Sequence, residues 1–144
     1  MVRSPREMVE QVCRMVAGEG VVFADLFAED GTLEYPFPLP GQPHELRGRK
    51  AIRSYFDAAP SARELFDIVD VQAVVHDTTD PEVVVAEIEH HGRSLVTGES
   101  YRFRAVGVIR VSEGQIVSYR DYMDPLTAAR LLGRNSEVVA ALTD

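Results

Sequence analysis

From Phe66 onward the chain changes its hydrophobic period. Four runs rich in β-branched residues follow one another: Ile68 to His76, Val83 to His91, Tyr101 to Ser112 and Gln115 to Met123. Turn-forming segments separate them, namely Asp77 to Pro81, Gly92 to Gly98 and Glu113-Gly114. Connections this short leave no room for a crossover, so successive strands form an antiparallel meander. The third run shows how the sheet divides its faces. Tyr101, Phe103, Ala105, Gly107 and Ile109 point one way, while Arg102, Arg104, Val106, Val108 and Arg110 point the other. The first set can line a core or a cavity. The second mixes valine with arginine and suits a surface partly covered by another subunit, so a homodimer through the outer sheet face is expected.

The N-terminal half reads differently. Ser4-Pro5-Arg6-Glu7 has capping-box spacing with proline at the first helical position, and Met8, Val9, Val12 and Val16 recur at helical intervals. Gly18 and Gly20 end that helix after about a dozen residues. Val22, Phe23, Leu26 and Phe27 predict a second, shorter helix stopped by Asp30-Gly31, and Thr32 to Phe37 a strand. Four prolines between Pro36 and Pro43 exclude a helix or a central strand, leaving a loop at a rim. Gly48 to Ala59 predicts a third helix with Ile52, Tyr55 and Phe56 on one face, ended by Pro60. Asp124-Pro125 caps a short last helix through Leu132, ended by Gly133. Three helices and a curved sheet of four or five strands give an α+β fold with the helices on one face. With no repeat and no dividing linker, residues 1–144 are expected to form one domain.

Several function classes drop out on residue grounds. Against 15 basic residues stand 23 acidic ones, a net charge of −8, which disfavours a phosphate backbone as partner. Cys13 is alone, so no intrachain disulfide or cysteine zinc cluster can form. Apolar runs such as Val83 to Ala86 are far shorter than the ~18 residues of a membrane span, and the charged start lacks a signal-peptide core; a cytoplasmic location without membrane contact is expected. No Gly-x-Ser-x-Gly elbow, P-loop or dinucleotide fingerprint occurs. His44, His76, His90 and His91 lack ligand spacing, so neither a metal nor another cofactor is expected.

Thr97-Gly98-Glu99-Ser100-Tyr101, Glu113-Gly114-Gln115-Ile116 and Tyr119-Arg120-Asp121-Tyr122-Met123-Asp124 together resemble the C-terminal half of the limonene epoxide hydrolases. These belong to the superfamily of ketosteroid isomerase, SnoaL-like polyketide cyclases and nuclear-transport-factor-2-like proteins. Phe27 to Gly31 leading to Tyr35-Pro36, and Gly48 to Ile52, agree more loosely. The resemblance implies a cone-shaped α+β barrel whose curved sheet and helices enclose a pocket. Aligned without a gap, Asp121 falls on one of the two aspartates that flank the epoxide hydrolases' catalytic arginine, Ile88 falls on that arginine, and His90 on the other aspartate. An Asp-Arg-Asp triad therefore cannot operate here. Against ketosteroid isomerase, Tyr35 stands at the general base and Gly107 at the aspartic acid of the oxyanion hole. The phenazine-biosynthesis relatives again place an acidic residue at Asp121.

Alternation along the last strand puts Tyr119, Asp121 and Met123 on one face. If that face lines the cavity, Asp121 is a carboxylate among apolar groups, and its pKa rises. His90, on a face with Val84, Ala86 and Ile88, is expected to be its nearest titratable partner. Asp121, His90 and Tyr35 are thus the candidate catalytic residues, and Tyr119, Phe103, Tyr101, Ile88, Phe56 and Met123 the candidate substrate contacts; Phe56 and Phe103 also fit an ordinary core. The expected activity is cofactor-independent acid–base catalysis on a small, mostly apolar, oxygenated metabolite: isomerisation, cyclisation or epoxide opening. A non-catalytic small-molecule-binding module using the same pocket is the alternative.

Overall fold

The computed structural model describes residues 2–143. Six strands form one curled, unclosed sheet in the order β2-β1-β6-β5-β4-β3. They are β1 (Phe27–Glu34), β2 (Glu45–Arg47), β3 (Phe66–Asp77), β4 (Val83–Ser94), β5 (Ser100–Ser112) and β6 (Gln115–Met123). The meander runs through β3 to β6 as expected, and Glu113 (φ 51°) with Gly114 (φ 76°) makes the tight primed turn that joins the last two strands. Helix α1 (Pro5–Val16) starts at the expected capping box: the Ser4 hydroxyl accepts from the Glu7 amide, and Glu7 accepts from the Ser4 amide. Helices α2 (Arg49–Ala58), α3 (Ala62–Leu65), α4 (Pro125–Leu131) and α5 (Asn135–Thr143) complete the fold. No helix among the described residues is long and apolar enough to cross a membrane.

The structure corrects the reading of residues 22–37. In place of a second α-helix there is a single 3-10 turn at Phe23–Leu26, and the strand begins at Phe27 and ends at Glu34. Helical spacing lost to ladder pairing here. β1 runs parallel to β6, with Phe27 opposite Ile116 and Thr32 opposite Ser118, and the extra β1 residues bulge between those pairs. Gly31 sits in that bulge because a Cβ there would lie 2.7 Å from the Ile116 carbonyl oxygen. β1 also pairs with β2, so two strands precede α2 in the chain and the three-helices-then-sheet order does not hold.

Helix α1 lays Met8, Val9 and Val12 on the concave face of the sheet, against β3, β4 and β5. There they join Phe27, Leu33, Ile52, Ile109 and Ile116, all fully buried, in one apolar cluster. Each such side chain is worth about 1.5–3 kcal/mol of burial. At the other end of the sheet α4 places Ala128 and Ala129 against Leu39, with Phe103 and Met123 packed on them. Ser94 pins this end: its buried hydroxyl donates to the Leu131 carbonyl and accepts from the amides of Val96 and Thr97.

Candidate functional site

Asp121 lies on β6 between Tyr119 and Met123, on the concave face. The residue opposite it on β5 is Gly107, and the next across, on β4, is Ala86. Neither offers a hydrogen bond from its side chain. Burial is the cause that pushes the Asp121 carboxyl from its ordinary 3.8 up to about 6.

Two phenols flank this carboxyl. Tyr119 precedes it by two residues on the same face, and Tyr35 follows Glu34, whose partner on β6 is Arg120, so Tyr35 comes level with Asp121. Both tyrosines are buried, and burial followed by the negative charge of Asp121 holds both hydroxyls far above the ordinary phenol range. They remain donors at any pH the protein meets. Neither hydroxyl bonds another described residue, yet no enclosed side-chain polar atom lacks a partner. Each hydroxyl therefore borders a space that water can reach. Gly107 makes room for one of them: a Cβ there would stand 3.0 Å from the Tyr119 hydroxyl.

Aromatic rings wall this end. Phe23 meets Tyr119 edge-on at 5.6 Å and Phe56 at 5.3 Å, Tyr55 lies 5.2 Å from Phe56, and Tyr35 lies 6.4 Å from Tyr55. Phe56 keeps 37% of its surface exposed, so it stands at the edge rather than in the core. Helical spacing puts Phe23 on a helix face; in the structure it stands on the 3-10 turn instead, with its ring against Tyr119.

His90 lies elsewhere on the same concave face. On β4 it faces Phe103, and its Nδ1 is 2.7 Å from the Tyr101 hydroxyl. Phe66, Tyr101 and Phe103 surround the imidazole at 5.6, 5.3 and 5.5 Å. Burial, helped by the neighbouring His91, presses its pKa from 6.5 down to about 4. The expected partnership of His90 with Asp121 is not what the structure shows. From Asp121 the imidazole is two strands across and four residues along, at about 4.8 Å per strand and 3.3 Å per residue. Its partner is Tyr101, which the β4–β5 register brings within reach by setting Gly92 opposite Tyr101 and His90 opposite Phe103.

The remaining candidates divide between the two ends. Ile88 is buried between Ala105 and Ala73, an apolar position with no cation to replace the epoxide hydrolases' arginine. Met123 and Phe103 pack under α4. Tyr101 belongs to the His90 cluster, where burial and the charge of Asp67 push its hydroxyl up to about 12. His44 is exposed on the proline-rich rim, and its carbonyl accepts the Tyr35 amide at 2.7 Å, fixing the backbone of Tyr35. Glu87 is exposed and bound to the His76 ring at 2.7 Å, while Glu34 is half-buried.

Comparison with known proteins places this geometry. The chain is 31% identical over 116 residues to an uncharacterised PhzA/B-like protein of Pseudomonas aeruginosa, covering 81% of this chain and 80% of that one. A proposed isomerase of known structure from Bacillus subtilis is 26% identical and superposes with a TM-score of 0.78 over 90% of this chain and 93% of that one. A proposed polyketide cyclase from Pseudomonas putida, 17% identical, shares the fold with a TM-score of 0.67 over 90% and 98% of the two chains, as do NTF2-like proteins. The model of the SnoaL-like domain matches residues 7–119, and the chain belongs to that family.

Proposed function

We propose that the protein is a cofactor-independent acid–base enzyme acting on a small, mostly apolar, oxygen-bearing metabolite by isomerisation or cyclisation. The observation that carries this reading is Asp121, a carboxyl bonded to no other described residue on an apolar wall, with its pKa raised to about 6. At neutral pH it is mostly ionised and can take a proton from a carbon beside a carbonyl. The hydroxyls of Tyr35 and Tyr119, neutral and unpaired, are placed to donate to the oxygen on which charge develops. The proton can then return to a different carbon, or the carbanion can add to a second carbonyl carbon of the substrate, closing a ring as that C=O π bond opens and its oxygen takes the proton from Asp121. The isomerase and cyclase descriptions carried by similar structures agree with this class of reaction. Epoxide opening is the weaker branch, since Ile88 supplies no cation.

One observation favours a binding module instead: among the described residues no imidazole or second carboxyl is bonded to Asp121. Proton shuttling by Asp121 alone must then suffice. The test is a 13C NMR titration of the Asp121 carboxyl, together with turnover of a panel of β,γ-unsaturated ketones by the wild type and Asp121→Asn. A carboxyl titrating near 6 and a loss of 10²-fold or more in turnover support the enzyme. A carboxyl titrating near 3.9 with no turnover by either form overturns it.

A second copy of the chain is the proposed partner. On the outer sheet face Arg102 and Arg104 both bridge to Glu89, at 3.1 and 2.8 Å, and Arg110 bridges to Asp80 and Glu82. With its charges paired inside the chain, this face, with Val74 and Val106 exposed on it, suits burial against its own copy. A monomeric mass at micromolar concentration in analytical ultracentrifugation overturns this assignment.

A further inference from the structure

The cluster around His90 takes no part in the proton transfer proposed above, yet it is built. Three aromatic rings converge on one imidazole, and Phe66 and Tyr101 also meet each other at 4.8 Å with their planes tilted by 42°. Only one ring nitrogen is used. Nδ1 is 2.7 Å from the Tyr101 hydroxyl, while Nε2 bonds no described residue and, since no enclosed polar atom is left without a partner, opens onto water-accessible space.

The direction of the used bond decides what the free nitrogen can do. A phenol is a better donor than an imidazole N–H, and an imidazole nitrogen is a better acceptor than a phenol oxygen. Tyr101 therefore donates to Nδ1. The proton of the neutral ring must then sit on Nε2, which becomes a fixed donor.

We propose that His90 is a recognition residue: its Nε2–H donates to an uncharged acceptor oxygen, such as a carbonyl, on a flat unsaturated portion of the ligand held against Phe66 and Phe103. Tyr101 is the positioning residue that sets the tautomer. The depressed basicity of His90 agrees, because a ring that stays neutral supplies no positive charge to offset the desolvation of a carboxylate, whereas an uncharged oxygen needs none. The inference rests on the reading that the concave face takes a small molecule, and not on any chemistry at Asp121. Register separates the two points by two strands and four residues, so one ligand engaging both must be elongated, with its reacting end at Asp121 and its recognised oxygen at His90.

The test uses 15N-histidine-labelled protein and two probes of equal shape, 1-tetralone, which carries the carbonyl, and tetralin, which lacks it. In the free protein the long-range 1H–15N pattern of His90 should show the Nε2–H tautomer. On titration tetralone should move the Nε2 resonance and bind about fivefold more tightly than tetralin, the worth of one hydrogen bond. His90→Phe should abolish that preference while tetralin still binds. Tyr101→Phe should reduce the preference and mix the tautomers, which a merely structural role for Tyr101 would not do. An Nδ1–H tautomer in the wild type, equal affinity for the probes, no binding of either, or a preference that survives in His90→Phe overturns the proposal. Asp121→Asn should keep the preference, so a failure of the catalytic reading and a failure of this one are told apart.

Discussion

The two polar clusters of the concave face receive the same treatment from the fold and respond in opposite senses. At the Asp121 end, removal of water disfavours the anion, and the carboxyl pKa climbs toward neutrality to about 6. At the His90 end the same loss of water disfavours the cation, and the imidazole pKa falls away from neutrality to about 4. Partnering widens the difference. His90 is bonded to Tyr101, while Asp121 faces a glycine and an alanine. Burial, joined at His90 by the charge of His91, thus moves the acid's pKa toward neutrality and the base's away from it. In the division of roles proposed above, the residue type that usually titrates at neutral pH is the recognition group, and the carboxylate is the one that moves protons.

The largest effect that tests this division is on turnover. Asp121→Asn should lose about 10²–10⁴-fold, whereas His90→Phe should lose less than about tenfold and act mainly through KM. Wild-type kcat/KM should fall as pH drops through about 6 and show no second inflection attributable to His90. A reversed ranking of the two variants would invert the assignment of roles.

Stability against pH gives the next largest effect, and the two groups pull in opposite directions. The folded pKa of Asp121 lies above its unfolded 3.8, so its contribution is fully present below pH 3.8 and is lost as pH rises through 6. His90 has a folded pKa below its unfolded 6.5, so its contribution is present above 6.5 and is lost as pH falls through 4. Each swing is at most about 3 kcal/mol, from roughly two pKa units at ~1.4 kcal/mol each. Relative to the wild type, Asp121→Asn should gain stability above pH 6, and His90→Phe should gain it below pH 5. Urea unfolding across pH 3.5–8 measures both. Parallel pH curves for the wild type and Asp121→Asn would mean that the carboxyl is not desolvated.

Those two clusters also mark how far the sequence could be read. The strand limits of β6, the capping box of α1 and the inward set Tyr119, Asp121 and Met123 all came from local rules of period and capping. The Ser61-x-x-Glu64 box that starts α3 follows the same rule and is equally legible. Helix α5 carried no comparable signal, because Val138, Val139, Ala140 and Ala141 are consecutive and mark no single face. Residues 27–31 were misread because their state is decided by pairing with β6, nearly ninety residues away in the chain. The link between Asp121 and His90 failed for the same reason: each face was assigned correctly, but the offset between β4, β5 and β6 depends on hairpin register, which alternation alone does not give.

A smaller effect separates the phenols. Tyr35→Phe removes a donor level with Asp121 and should lower kcat by about tenfold with the Asp121 pKa little changed, because burial and not a bond from Tyr35 sets that pKa. A drop in kcat shared with a downward shift of the Asp121 pKa would show that the phenylalanine had opened the wall to water instead.

The smallest expected effect falls on Gly107, where the difference between the two ends is built into a missing side chain. The Asp121 row crosses β5 at a glycine, the His90 row at Phe103. Gly107 has no unusual backbone conformation to explain it, since it is absent from the positive-φ glycines; its role is room. An alanine Cβ would meet the Tyr119 ring at 3.0–3.1 Å, closer than comfortable contact, so the ring must give by a few tenths of an ångström. Tyr119 is buried against Phe23 and has little freedom to do so. Gly107→Ala should therefore cost about 1–2 kcal/mol of stability. It should lower kcat by a few-fold through a displaced hydroxyl, while tetralone binding at His90 is unchanged. If kcat holds while stability falls, Tyr119 is a packing residue and Tyr35 is the donor that matters.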